Sequence, residues 1–582
     1  MQLFQPRRRS LLVAATGLAL AGATLISPPA AAPAPTSLAQ RSTCTALVNN
    51  SQASTSERQA DFATAARDYG VPRGVLMAVS YLESRWDHHG GAQSVSGGYG
   101  LMHLTDVRLP DQSLAKGDGS RLSPPRPESL RTLRLAADLT GLSPDQLRAS
   151  AAANICGGAA VLASYQRELG LPAGERTDPG RWYAAVARYS GATDASTARR
   201  FTGDVFATLR HGEARVADGG ARVRLPARAD LRPRVGQLAA LDLLGGSGGW
   251  TNCPERLGCE WIPAPYEWYG KPDPFAYGNH DLARRPRDMN IDYIVIHDTE
   301  TSYRDTLALV QNPEYVSWQY TLRSSDGHIA QHVRPKNVAW HAGNWYFNMH
   351  SIGLEHEGYA AQNGEWYTEA MYRTSARLVR YLTNQFDIPR DRAHIIGHDE
   401  IPGPAPEYVA GMHWDPGPFW DWEHYFELLR RPIQRNADNP TGLRVVVPGF
   451  EGNKQPLTDC ATGGEAETPA PCRGDTNFVT LRQFPSHFAP LVADAGLHPD
   501  GGPSTTSVSD IGARAAAGHE FAVAGRTGNW TAMWYLGDIA WFHDPKGARN
   551  SKRIRGWQVT ARPGSESVPV YGRAYPEESA YP

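Results

Sequence analysis

Cysteine is scarce in this sequence, with six among 582 residues, and no two stand as Cys-x-x-Cys. That spacing disfavours zinc binding by cysteine, the alternative to disulfides. Net charge is almost absent: 58 Lys and Arg stand against 60 Asp and Glu, which leaves a formal charge of −2. A chain of that balance offers no bulk basic surface, and nothing in it points to nucleic acid. After Ile26 there is no apolar run long enough to span a bilayer. Nor is there a His-Glu-x-x-His pair, the local signature of many zinc hydrolases.

What is present is length, and much loop-forming and aromatic material. A chain of 582 residues exceeds one hydrophobic core and predicts three or more domains. Its 16 Trp suit grooves that stack sugars, and equally suit ordinary core packing. Arg7-Arg8-Arg9, an apolar run from Leu11 to Ile26 and the small residues Ala30 to Ala32 read as an export signal over residues 1–34. Arg8-Arg9-Ser-Leu-Leu also fits a twin-arginine pattern, and a plain basic leader is the alternative. Either way the product is expected outside the cell, where six cysteines suit disulfides. Their placement suggests Cys44 with Cys156, Cys253 with Cys259, and Cys460 with Cys472.

Chemistry concentrates between Ile291 and Asp415. Ile291-Asp-Tyr-Ile-Val-Ile is a β-branched run that predicts a buried strand delivering His297 at its end. His394-Ile-Ile-Gly delivers His398, and His413-Trp-Asp-Pro-Gly-Pro presents Asp415 in a turn stiffened by Pro and Gly. Two imidazoles and a carboxylate make an open zinc site, with three protein ligands and a fourth position free for water. Taken one at a time, His297 and His398 read first as satisfied core histidines and Asp415 as a turn former. Glu355 and Glu357 alternate onto one face of a strand, so pattern alone does not choose between them.

Val-Ile-His297-Asp-Thr, Ala339-Trp-His341-Ala-Gly, Ser351-Ile-Gly-Leu-Glu355-His-Glu-Gly, Ile-Ile-Gly-His398 and Asp415-Pro-Gly-Pro follow one another in an order that resembles the zinc-dependent N-acetylmuramoyl-L-alanine amidases. That group includes the peptidoglycan recognition proteins. The resemblance covers residues 255–435 and implies an α/β domain with a mixed sheet flanked by helices. It implies Zn2+ on His297, His398 and Asp415, with Glu355 as catalytic base and Trp340 and His341 at the substrate. The family often has Lys two residues before the ligand Asp; here His413 stands there, as a candidate oxyanion stabiliser.

Two further resemblances flank this domain. Residues 44–215 place Glu83 at a helix end, then Ser96-Gly-Gly-Tyr-Gly-Leu-Met-His-Leu and Trp182 to Tyr189, an order similar to the lysozyme-like lytic transglycosylases. This implies an α-helical domain with Glu83 as general acid and then base, and with Ser96 and Tyr189 near it; an inactive glycan-binding version is the alternative. Residues 485–546 carry short alternating strands around Trp530 and Trp541 and resemble a small all-β SH3-like wall-binding barrel. Residues 216–254 and 436–484 read as linkers, and 547–582 as an unassigned tail.

The expected protein is therefore a secreted, multidomain and monomeric peptidoglycan hydrolase whose partners are glycan strands and stem peptides. The alternatives are a wall-recognition protein without hydrolysis and a zinc peptidase of the stems.

Overall fold

The structure is a computed structural model that describes residues 44, 57–107, 128–245, 250–270, 276–360, 366–433, 442–460, 470–557 and 561–566. The export-signal reading lies outside the described residues. All three suggested disulfides are formed, Cys44–Cys156, Cys253–Cys259 and Cys460–Cys472.

The N-terminal part is helical: α1 (Arg58–Tyr69), α2 (Arg73–Ser84), α3 (Thr132–Thr140), α4 (Pro144–Ala149), α5 (Ala151–Glu168), α6 (Tyr183–Tyr189) and α7 (Ala195–His211). A small hairpin of β1 (Gly98–Tyr99) and β2 (Leu104–Thr105) follows α2. Every residue of α5 from Ala153 to Ala163 is buried, which makes it the central helix. Its Gly158 lets the β1–β2 turn come close, since a Cβ there would stand 2.4 Å from Met102 Cγ.

The stretch expected to be a linker, 216–254, instead completes this core. β3 (Glu213–Ala217) and β4 (Ala221–Leu225) form an antiparallel hairpin. Ala217, Ala221, Val223, Leu225, Leu231, Leu238 and Leu241 join the helical core. The Arg and Gly content hid a period-two pattern, Ala221-Arg-Val-Arg-Leu, which alternates buried and exposed.

Next comes a six-stranded mixed sheet in the order β12-β7-β11-β8-β9-β5. In chain order its strands are β5 (Glu260–Trp261), β7 (Tyr293–Asp298), β8 (Tyr320–Leu322), β9 (Ile329–Gln331), β11 (Ser351–His356) and β12 (Ile395–Gly397). β6 (His280–Asp281) and β10 (Val338–Ala339) pair separately. β12, β7, β11 and β8 are mutually parallel, and the first three are buried almost throughout. Their apolar, β-branched runs are what a strand covered on both faces requires. The helices are α8 (Tyr303–Val310), α9 (Trp345–His350), α10 (Glu369–Gln385) and α11 (Trp422–Leu428). α10 buries Met371, Leu378, Val379 and Leu382 against the sheet, as its spacing predicts.

The C-terminal part is all-β, a five-stranded antiparallel sheet in the order β18-β17-β16-β13-β19. β16 (Glu520–Thr527), β17 (Trp530–Tyr535) and β18 (Asp538–His543) are the strands expected from sequence. β13 (Leu443–Val446) comes from the supposed linker 436–484, and β19 (Ser551–Ile554) from the supposed tail. β13 was illegible because it lies between β16 and β19 with all four residues buried, so it shows no alternation. The same segment supplies β14 (Phe478–Thr480), paired with β15 (Arg514–Ala516). Just before β14, Asn477 donates Nδ2 to the Gly417 and Trp420 carbonyls at 3.0 and 2.8 Å, and its backbone N–H to the Pro418 carbonyl at 2.9 Å.

The helical part and the mixed sheet share a polar joint. Arg377 on α10 forms a bidentate pair with Asp204 on α7 at 2.5 and 2.6 Å. His328 is buried, with Asp194 Oδ2 at 3.1 Å from Nδ1 and Glu260 Oε2 at 3.1 Å from Nε2. Burial works against its charge, but the hydrogen bonds to Asp194 and Glu260 win and raise its pKa above 6.5. Asp194, opposed by burial yet bonded to His328, is held well below the usual carboxylate range.

The signs give a pH window for this joint. The His328 contribution is complete below about pH 6.5 and is lost as pH rises through its raised folded pKa, while the Asp194 contribution is lost only in strong acid. Urea unfolding should therefore show stability declining above pH 6.5. His328→Gln should flatten that decline and cost about 3–5 kcal/mol at pH 6; parallel pH profiles for the two proteins would rule the joint out as the titrating element.

Candidate active site

Three parallel strands end side by side, and that geometry assembles the site. In the β7–β11 register His297 lies opposite Glu355, and in the β7–β12 register Ile296 lies opposite Gly397, with His398 next in the chain. Lateral neighbours in a sheet project to the same face, so His398, His297 and Glu355 line up at the carboxyl ends of their strands. Ligand sites of open α/β sheets form at this edge. Asp415 arrives from the loop after β12, held by a hydrogen bond from the Asp399 N–H to its carbonyl at 2.9 Å. Its Oδ2 lies 3.0 Å from His297 Nδ1 and its Oδ1 lies 3.0 Å from His398 Nδ1.

The donor atoms of His297, His398 and Asp415 all lie within 4.8 Å of one another, and all three residues are buried. Burial, with His398 beside it, pushes His297 down to about 4, so its imidazole is neutral near pH 7 and has a lone pair to give. Burial also opposes the charge on Asp415, yet the two imidazoles beside it hold it well below the usual carboxylate range. His398 Nε2 and Glu355 Oε2 are buried without a hydrogen-bond partner. Two nitrogen donors, one anionic oxygen donor and unfilled polar valences around them fit a divalent cation of the zinc type, with three protein ligands. Among the described residues this is the one such cluster.

The two glutamates that pattern left equivalent are distinct in space. Both carboxylate oxygens of Glu357 accept backbone N–H groups, from Tyr303 at 3.0 Å and Ser324 at 2.8 Å, so that side chain ties two loops together. Glu355 faces the cluster, with Oε1 3.9 Å from His297 Nδ1. Burial first, and then the charge of Asp415, raise its pKa well above the ordinary carboxyl value. Two neighbours escaped the sequence reading although they belong to the same run as His297. Asp298 accepts the Tyr367 hydroxyl at 3.0 Å, and Glu300 accepts the Ala360 N–H at 3.1 Å.

The other expected residues divide. His413 is 74 % exposed and places Nδ1 3.8 Å from Asp415 Oδ1, at the mouth of the site. Trp340 is half-buried and donates Nε1 to Asp281 at 2.6 Å. His341, expected at the substrate, lies under the site instead. It is buried, with Nδ1 2.9 Å from His297 Nε2 and Nε2 3.1 Å from Ser351 Oγ, so neither nitrogen is left for substrate.

In the helical domain, Glu83, Ser96 and Tyr189 do come together, around the buried His103 and Met102. Glu83 is 2 % exposed, and its Oε2 lies 3.4 Å from His103 Nδ1. His103 Nε2 bonds Ser94 Oγ at 2.7 Å and Ser96 Oγ at 3.1 Å, and the Tyr189 hydroxyl donates to the Met102 carbonyl at 2.6 Å. Across His103 stands Trp366, from the segment before α10. It meets the His103 ring edge-on at 5.6 Å and stacks on His89 at 4.1 Å. Its Nε1 donates to the Ala92 carbonyl at 3.2 Å, and its own carbonyl accepts the Val95 N–H at 3.2 Å. Burial, then the charge of Asp326 in the β8–β9 turn, raise the Glu83 pKa well above the ordinary value.

Comparison with known proteins bears on the sheet domain. Residues 287–418 match the family described as N-acetylmuramoyl-L-alanine amidase. N-acetylmuramoyl-L-alanine amidase A of Achromobacter lyticus is 33 % identical over 153 residues, 23 % of this chain and 81 % of that protein. A solved endolysin amidase, LysCS from Clostridium intestinale URNW, is 18 % identical over 29 % of this chain and 95 % of its own, with a TM-score of 0.22. On the match to the Achromobacter enzyme, over most of that protein's length, this chain belongs to the N-acetylmuramoyl-L-alanine amidase family.

Proposed function

We propose that the chain is an exported peptidoglycan hydrolase that cleaves the amide between the muramoyl lactyl group and the L-alanine of the stem peptide. The observation that carries this reading is the buried Glu355 carboxyl, its Oε2 without a hydrogen-bond partner, beside the His297, His398 and Asp415 cluster on the strand-end edge of the sheet. Zinc, held by those three residues, would supply a Lewis acid that makes water more acidic and polarises the amide carbonyl. Glu355 takes the proton of the attacking water as the new C–O bond forms, and returns it to the nitrogen as the C–N bond breaks. The products are a lactyl carboxylate and a free stem amine. His413, at the mouth, is placed to donate to the carbonyl oxygen as charge develops on it. Three disulfides support an oxidising, extracellular location.

The chain has one hydrolytic centre in this reading. Glu83 is buried beside His103, whose ring Trp366 meets edge-on, and on that burial the helical domain is read as a brace for α10 and not as a transglycosylase. The C-terminal all-β part is proposed to hold wall polymer.

Two tests follow. In the first, zinc is quantified per chain after chelator treatment and reconstitution. His297→Ala, His398→Ala and Asp415→Ala should each retain far less zinc than wild type, and Glu355→Ala should retain it while losing roughly 10²–10⁴-fold in rate. Full activity of metal-free protein would refute the mechanism. In the second, digested wall is analysed by mass spectrometry. Intact free stems with uncut glycan strands are expected, unchanged by Glu83→Gln. Shortened stems would mean a peptidase, unaltered wall a binding protein, and Glu83-dependent anhydro-sugar ends a second active centre.

A further inference from the structure

We infer that His341 and Ser351 are positioning residues of the metal centre: they lock His297 in the tautomer that turns a bare Nδ1 toward Asp415, and thereby set how tightly the centre holds a divalent cation. The inference rests on the reading of His297, His398 and Asp415 as metal donors.

The direction of each hydrogen bond follows from a group that can only accept. The Phe347 carbonyl takes the Ser351 hydroxyl proton at 2.5 Å. With its proton committed, Ser351 Oγ faces His341 Nε2 at 3.1 Å as an acceptor, so that nitrogen carries the hydrogen. A neutral imidazole has one N–H, so His341 Nδ1 is an acceptor and receives the Nε2–H of His297 at 2.9 Å. His297 Nδ1 is then left with its lone pair, 3.0 Å from the Asp415 Oδ2. Two acceptors face each other across a gap that a cation satisfies, and the last relay member outside the centre is a backbone carbonyl that cannot rearrange.

His341 is itself held on three sides. Asn348 Oδ1 accepts the backbone N–H groups of His341 and Ala342 at 3.0 and 2.8 Å. Gly353 on β11 leaves the space the ring fills, since a Cβ there would stand 2.7 Å from His341 Cγ. Ser351 begins the strand that carries Glu355, so the relay ties the orientation of one donor to the strand bearing the base. Outer partners of this kind tune metal ligands by fixing their tautomer.

The test measures zinc affinity of the full chain by competition with a chromogenic chelator, in wild type, Ser351→Ala, His341→Leu and His341→Asn. His341→Leu removes the acceptor and should weaken zinc binding about 10–100-fold. His341→Asn offers a carboxamide oxygen near the Nδ1 position and should recover part of that loss, which a purely space-filling role would not predict. Ser351→Ala should weaken binding by a smaller factor, and it carries the test if His341→Leu does not fold. Equal zinc affinities in wild type and the folded variants would overturn the relay while leaving the metal centre intact. Wild type that takes up no zinc would overturn both.

Discussion

An ionised carboxylate enclosed between two imidazoles is the constraint to which the rest of this chain conforms. A buried Asp415 without partners would either take up a proton or destabilise the fold by several kcal/mol. It stays charged because the strand ends that carry His297 and His398 converge on it, and that convergence needs the parallel register of β12 and β7. The apolar runs of those strands, the helix α10 behind them and the domains on either side can all be understood as the means of holding four side chains at one edge.

The local chemistry was legible in the sequence because it depends on short runs with fixed order. A β-branched strand that ends in His, a second that ends in His, and an Asp between His-Trp and Pro-Gly-Pro are patterns a reader can find. Alternation did not choose between Glu355 and Glu357, since it places both on one face; the resemblance selected Glu355, and the loops around Tyr303 and Ser324 are what separate the two in space. His341 was misplaced for a similar reason. Its motif lies next to the site in sequence, while the contacts that decide its role come from Phe347, Ser351 and Gly353, on a helix and a strand whose approach no local pattern records. Domain limits failed where composition was taken for structure: an Arg-rich hairpin and a strand buried on both faces each resembled a linker.

Glu83 and Ser96 both meet the buried His103, Tyr189 bonds the carbonyl of Met102 beside it, and an indole of the neighbouring domain packs edge-on against the His103 ring. The same contact unites the two parts mechanically. With Arg377 on Asp204, and His328 between Asp194 and Glu260, it makes the α10 helix a shared element and not a boundary.

Asn477 extends that logic to the far end of the chain. Its amide and backbone N–H satisfy three carbonyls in the turn that follows Asp415, yet it lies outside the stretch that matches the amidase family. A fragment cut at the family limits would carry every donor atom of the centre and still lack the clasp on the loop that presents one of them. The loop that presents Asp415 is thus held from beyond the family match, and a graft of residues 287–418 into another scaffold would lose the Trp420 carbonyl along with Asn477 and would have to replace the hydrogen bonds to the Gly417 and Pro418 carbonyls.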